Sequence, residues 1–286
     1  MLFVNVGLRI LELARAAGAR SIFVVGTGKG VGKSTTLGAI YEAAWGAGLR
    51  TGIASVGHKP RWRLRPQTLF ATARALLPAS PACQILSAPR LESSAGALLY
   101  ARTVFGGEYD LIGPSSASGL RESIAAMEAQ CEIVLVDGAI DRIATLAASD
   151  GAIVVACGAA AAATPAEAVA GVAALTARLQ IAPATPNAET IELEGALTAT
   201  TAAELIAAGE KREIVVRDAT QIVMSGTSLA QALARLHVRC RRPLRVVAAT
   251  VCAMAPERLF EPASFLREVG EATGVPAFDV FAGAAA

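Results

Sequence analysis

The chain has 286 residues, 53% of them hydrophobic and 17% charged, with a formal net charge of +2. This composition excludes a disordered chain, and the near-balanced charge excludes nucleic acid as the main partner, because binding a phosphate backbone needs a basic surface. The mean hydropathy of +0.49 raises the question of a membrane span, but the longest charge-poor stretch, 149–175, contains Asp150, Pro165 and Glu167 and is mostly Ala and Gly, short of the ~20 strongly apolar residues a span needs.

In chain order, Val6, Ile10, Leu13 and Ala17 recur at helical spacing with no basic segment before them, which predicts an opening helix and no cleaved signal. The apolar run 21–25 leads into the glycine-rich segment 26–35, and 34–45 reads as a helix. A second strand is predicted over 51–56, then a basic loop from His58 to Arg65, a helix over 68–77, a strand at 84–86 and a helix over 91–104. Tyr109 to Ile112 runs into Gly113-Pro114-Ser115-Ser116, followed by a helix over 119–130, a strand over 132–136, a helix over 142–148 and a strand over 152–156.

The segment 181–190, IAPATPNAET, marks a boundary by its prolines and small polar residues. Beyond it strands are expected at 191–197, 213–216, 221–224, 244–251 and 276–280, with helices at 200–208, 228–236 and 260–273. Short apolar strands alternating with longer helices predict an α/β protein with a doubly wound, mainly parallel sheet. A C-terminal α/β extension either joins that sheet or forms its own. Five scattered cysteines, odd in number and without a CxxC pair, fit neither a disulfide framework nor a zinc site and point to a reducing, cytoplasmic setting.

The choice of cations says more than their sum. Arginine outnumbers lysine 22 to 4, and Lys29, Lys33 and Lys59 lie in or soon after the glycine-rich segment, leaving only Lys211 elsewhere. Such retention suggests chemistry in which a compact ammonium cannot be replaced by a guanidinium.

The segment Gly26-Thr27-Gly28-Lys29-Gly30-Val31-Gly32-Lys33-Ser34-Thr35 sits where a phosphate cradle must sit, after a buried strand and at a helix N-terminus. Its glycines let the backbone turn consecutive N–H groups toward phosphate oxygens, and the helix end adds a favourable dipole. Lys33 would reach the β- and γ-phosphates, and Ser34 would offer its hydroxyl to Mg²⁺. The strict Walker A spacing asks for glycine where the chain has Thr27, with Gly26 one residue earlier. Lys29 is either phosphate-facing or a solvated loop residue.

The run Glu132-Ile133-Val134-Leu135-Val136-Asp137-Gly138 fits a Walker B strand that delivers one carboxylate beside the phosphate loop. Asp137 would hold Mg²⁺ directly or through water; the alternative is a turn residue before Gly138. Asp141 and Arg142 are supporting groups or an ordinary cap and surface charge. Lys59 would pair with a phosphate or an anionic second substrate, unless the basic run is a solvated or docking face. Ser115 would contact substrate or sense the γ-phosphate, or lie in a simple turn.

With these residues in hand, the chain resembles P-loop NTPases of the branch that includes the deviant Walker A ATPases and dethiobiotin synthetase. Gly26-Thr27 and Val31-Gly32-Lys33-Ser34 are similar to the dethiobiotin synthetase loop, extra residue included, and His58-Lys59-Pro60 is similar to that enzyme's lysine-proline. The chain is longer, however, and its GPSS, VDGAIDR and PAFDV segments resemble the P-loop reactivase subunit associated with adenosylcobalamin-dependent lysine 5,6-aminomutase. The resemblance implies a nucleotide-binding domain over 1–180 and a C-terminal α/β region over 181–286. It also implies ATP and Mg²⁺ as cofactors, and ATP hydrolysis that removes damaged cobalamin from a partner aminomutase. A second reactivase subunit or a homodimer would fit the same family, with Lys33, Asp137 and Lys29 stabilising phosphoryl transfer. Two other readings stay open: an ATP-dependent ligase or kinase of the dethiobiotin synthetase type, and a nucleotide-responsive binding module without turnover.

Overall fold

The structure, a computed structural model, describes residues 2–77, 82–137 and 151–285. The first half runs α1 (Leu2–Ala16), β1 (Ser21–Gly26), α2 (Lys33–Gly46), β2 (Thr51–Ser55), β3 (Lys59–Leu64), β4 (Leu69–Ala73), β5 (Cys83–Ser87), β6 (Glu92–Ser93), β7 (Gly96–Thr103), β8 (Gly107–Leu111), α3 (Ala117–Glu128) and β9 (Ile133–Asp137). The second runs β10 (Ala152–Gly158), α4 (Pro165–Leu179), β11 (Thr190–Glu192), β12 (Leu197–Thr198), α5 (Ala199–Ala207), β13 (Glu213–Val216), β14 (Ile222–Val223), α6 (Gly226–Arg235) and β15 (His237–Cys240). It ends with β16 (Arg245–Cys252), β17 (Met254–Ala255), β18 (Arg258–Leu259), α7 (Pro262–Thr273), β19 (Ala277–Asp279) and β20 (Ala284–Ala285).

The chain is a mixed α/β protein built on one large, mostly parallel sheet, in the order β20-β19-β16-β10-β1-β9-β2-β4-β7-β5. Strands from β19 to β4 run parallel, β20 at one edge and β7 at the other run against them, and β5 pairs antiparallel with β7. Alternation along β1 explains how both faces are covered. Ile22 and Val24 pack with Ile10, Leu11, Leu37 and Ile40 of α1 and α2, whereas Phe23 and Val25 pack with residues of α3, α4 and α7. Among the described residues, no helix is long and apolar enough to cross a membrane.

The chain leaves β1 toward β2 and β9 on one side and takes up β10 and β16 on the other. The strand order therefore reverses around β1, and the loop that leaves its C-terminal end lies at the crevice where open α/β sheets bind ligands. Residues 190–240 build a separate three-stranded parallel sheet, β11-β13-β15, over a core that includes Ile214, Val216, Leu229 and Val238. The segment from Arg245 onward returns to the large sheet.

Two expected helices are strands. The segment expected as a helix over 68–77 forms β4 and a 3₁₀ turn at Arg74–Leu76, and that expected over 91–104 forms β6 and β7. β4 and β7 pair in antiparallel register from Leu69↔Arg102 to Ala73↔Leu98. Phe70 and Ala101 face one core while Leu69, Ala71, Leu98 and Tyr100 face the other. Burial on both faces gives a continuous apolar run, and non-local pairing overrides the helix preference of Ala and Leu. The expected basic loop is itself a strand: β3 alternates buried Trp62 and Leu64 with exposed Arg61 and Arg63. The helix expected over 142–148 lies outside the described residues.

Helices α1 and α2 cross so closely that a Cβ on Gly7 would sit 2.0 Å from the Ala39 carbonyl oxygen. A Gly7→Val protein is therefore expected to be less stable by about 1–3 kcal/mol; an unchanged urea midpoint would contradict this packing.

Candidate functional site

The loop between β1 and α2 is anchored at both ends. Thr27 N–H extends β1 by donating to the Ala156 carbonyl at 3.0 Å, and Val31 is buried in the core. Gly30 and Gly32 are left-handed, with φ of 77° and 88°, and Gly32 is the N-terminal cap of α2. Two left-handed residues separated by one ordinary residue turn neighbouring N–H groups toward a shared concavity, which suits an anion. Lys33 folds back over the loop and donates from Nζ to the Gly28 carbonyl. Its stem passes where a Cβ on Gly26 would lie, 3.1 Å from Lys33 Cδ.

The three residues with the most specific expected roles come together. Lys59 Nζ donates to Ser34 Oγ at 2.9 Å and lies 3.0 Å from Asp137 Oδ2. Asp137 ends β9 in register with Ser55 of β2 and is only 6% exposed. Among the described residues its Oδ2 finds no hydrogen-bonding partner of acceptable geometry, despite the nearby ammonium. The buried carboxylate oxygen and the Ser34 hydroxyl, bridged by the Lys59 ammonium, are hard oxygen donors of the kind that suits Mg²⁺. One carboxylate and one hydroxyl suffice where substrate phosphates and water complete the coordination, so the lack of a larger cluster of His, Cys, Asp and Glu among the described residues does not count against it.

Lys59 is placed by the strand that carries it. On β8, Asp110 accepts from the Arg61 backbone N–H at 2.9 Å and pairs with His58 Nε2 at 3.2 Å, so it grips the chain on both sides of Lys59. The Arg61 N–H, foremost, and then His58 hold the Asp110 carboxyl below the usual carboxylate range. Arg61, non-glycine and left-handed at φ 54°, marks the irregularity between Lys59↔Leu111 and Trp62↔Tyr109 in the β3–β8 ribbon. The ribbon is in turn fastened to α2. Tyr41 stacks edge-on against Trp62 at 5.8 Å, and its hydroxyl bonds Thr68 Oγ1 and the Arg65 N–H, each at 2.6 Å.

The other expected residues are less tightly placed. Lys29 is exposed at the loop tip, and Thr35 follows in the first turn of α2. Ser115 lies exposed beyond β8, its N–H donating to the Glu92 carbonyl at 3.0 Å, and makes no hydrogen bond to the glycine-rich loop. Gly113, two residues before it, packs against β2, where an added Cβ would meet Ser55 O at 1.7 Å. Asp141 and Arg142 lie outside the described residues.

Two further features carry no local pattern in the sequence. The short turn Ala159–Ala161 buttresses the loop, with Ala161 Cβ 2.7 Å from where a Cβ on Gly28 would sit, and Arg258 ties this turn down through the Ala162 carbonyl at 3.2 Å. Arg178, on α4, lines a cavity that Gly26 and Thr27 also line. Compared with known protein families, with curated proteins and with solved structures, the chain matches none.

Two expectations follow from this geometry. Lys59→Met would leave Asp137 buried without a counter-ion and cost about 1–3 kcal/mol, below the value for a fully buried pair because the Lys59 side chain is 35% exposed. The double variant with Asp137→Asn should recover most of that loss in urea unfolding, and simple additivity would contradict the pairing. For Asp110, the lowered folded-state pKa means that its contribution is present above the unfolded value of about 3.9 and lost as pH falls through the folded value. Asp110→Asn should therefore destabilise the protein at pH 7, with the difference from wild type shrinking as pH falls below the usual carboxylate range; a difference constant with pH would contradict it.

Proposed function

We propose that the chain is a P-loop nucleotide-binding protein that takes a magnesium nucleoside triphosphate in the loop 26–35 and hydrolyses it. The observation that carries this reading is Lys59 Nζ between Ser34 Oγ and Asp137 Oδ2, at 2.9 and 3.0 Å. One cation stands between the hydroxyl and the buried carboxylate that a phosphate-bound metal requires. ATP is the default nucleotide because no NKxD guanine-reading segment occurs in the sequence.

In this reading the loop N–H groups and the α2 N-terminus bind the β- and γ-phosphates, and Lys33 exchanges the Gly28 carbonyl for phosphate oxygen. Ser34 and Asp137 would hold Mg²⁺, which neutralises charge on the phosphates when bound. Lys59 then leaves Asp137 and turns toward the γ-phosphate, where its charge favours in-line attack by a positioned water. Lys29, at the loop tip, adds a second positive charge on the same side. Because Lys59 begins β3, its movement reaches the ribbon that presents Arg61 and Arg63 outward, a local change of the kind that γ-phosphate binding imposes on switch segments.

That outward-facing ribbon supports a protein partner as the reader of the nucleotide state. Following the resemblance, the partner is a cobalamin-dependent aminomutase from which the protein releases damaged cofactor. Turnover with no small-molecule acceptor, stimulated by such an enzyme, is the expected result. Turnover only with a carboxylate or amine acceptor would instead identify the ligase or kinase reading. For the nucleotide itself, Lys33→Ala is expected to weaken Mg-ATP binding by about 10- to 100-fold in calorimetry, the loss of a charge-assisted contact. Equal heats for the two proteins would overturn the assignment.

A further inference from the structure

Between the start of the glycine-rich loop and the separate small sheet lies a cavity of about 750 Å³. One wall is a single face of α4, where Gly171, Ala174 and Arg178 follow at helical spacing; the opposite wall comes from Ser225 to Ala230 at the start of α6. Most of the lining is apolar and small. Two buried side-chain polar atoms of its lining, Arg178 Nε and Thr27 Oγ1, have no hydrogen-bonding partner among the described residues. Ser225 precedes α6 without a side-chain cap on that helix's first turn.

Arg178 makes no ion pair or hydrogen bond among the described residues. Burial alone lowers its pKa, with no charged neighbour contributing. A guanidinium stays protonated at any ordinary pH, so this one is a part-buried charge without compensation. Position at the C-terminal turn of α4 offers it a favourable dipole, but a solvated side chain would gain the same without burial. A charge kept in a destabilising place beside a cavity is the pattern of a binding group.

We propose that this cavity binds a small organic anion, with a carboxylate or phosphate group held by Arg178 and Thr27 and an apolar body lying along α4 and α6. A planar guanidinium fork matches either oxyanion, and the Ala, Leu and Met lining suits an aliphatic or aromatic body. The site goes beyond nucleotide binding and does not depend on it, although Gly26 and Thr27 belong to both the cavity lining and the glycine-rich loop.

The test is fluorescence titration of the nucleotide-free, full-length protein with 8-anilinonaphthalene-1-sulfonate, an apolar body bearing one anionic group. One dye is expected per chain, displaced by hexanoate or hexyl phosphate and not by hexanol; the stronger of the two displacers identifies the oxyanion. Arg178→Met should weaken the dye by at least about tenfold while leaving the melting temperature equal or higher. Ala170→Trp, an exposed change at the cavity mouth, should block the dye with Arg178 intact and decides the matter if Arg178→Met does not fold. Unchanged affinity in these variants, equal displacement by hexanol, or competitive displacement by Mg-ATP would each overturn a separate anion site.

Discussion

A carboxylate buried at the C-terminal edge of a parallel sheet must have a cation. Asp137 is such a group, delivered by an apolar strand and left 6% exposed, and its neighbourhood is organised around that need. Desolvating an isolated carboxylate costs several kcal/mol, so a partner charge stabilises the folded chain. Lys59 meets it from the start of β3, and the same ammonium reaches the first hydroxyl of α2. Loop, strand end and basic strand are thereby joined at one nitrogen atom.

That junction gives the surrounding contacts a mechanical meaning. Asp110 clamps the chain on either side of Lys59, and Tyr41 and Trp62 bind α2 to the same ribbon. The helix that starts at the glycine-rich loop and the strand that carries the ammonium therefore move against shared, well-packed neighbours. Under the proposed function, exchange of one cation for another at Asp137 is a local electrostatic event with a ready path to the exposed side of the ribbon. Arg178 lines a cavity that also touches Gly26 and Thr27 at the start of the loop, so a second ligand there would lie next to the glycine-rich segment.

What could be read in the sequence was what local pattern determines. The strand-loop-helix at 21–46 and the apolar strand ending in Asp137 each carry their signal within a few residues, and the structure forms both. β4 and β7 were misread because each is buried on both faces by partners distant in sequence, leaving composition to suggest helix. α4 had a local signal that went unused: Thr164 accepts from the Glu167 N–H at 3.2 Å and the Glu167 carboxylate returns to Ala163 at 2.9 Å, a cap written in the TPAE spacing. Lys59 could be suspected from the scarcity of lysine, but its contact with both Ser34 and Asp137 arises from the pairing of β3 with β8. Arg178 was one arginine among many, and only the fold reveals that it lacks a partner among the described residues.

With four lysines in the chain, the ammonium groups can be followed one by one. The most direct measurement is a nuclear magnetic resonance titration of protein labelled with ¹³C at lysine Cε, recorded as magnesium and a non-hydrolysable ATP analogue are added. The account predicts that Lys33 and Lys59 shift together on saturation, that Lys59 loses its dependence on Asp137 as judged in the Asp137→Asn protein, and that Lys211 stays still. A Lys59 signal that does not move while Lys33 reports a bound nucleotide would contradict the exchange of cations at Asp137.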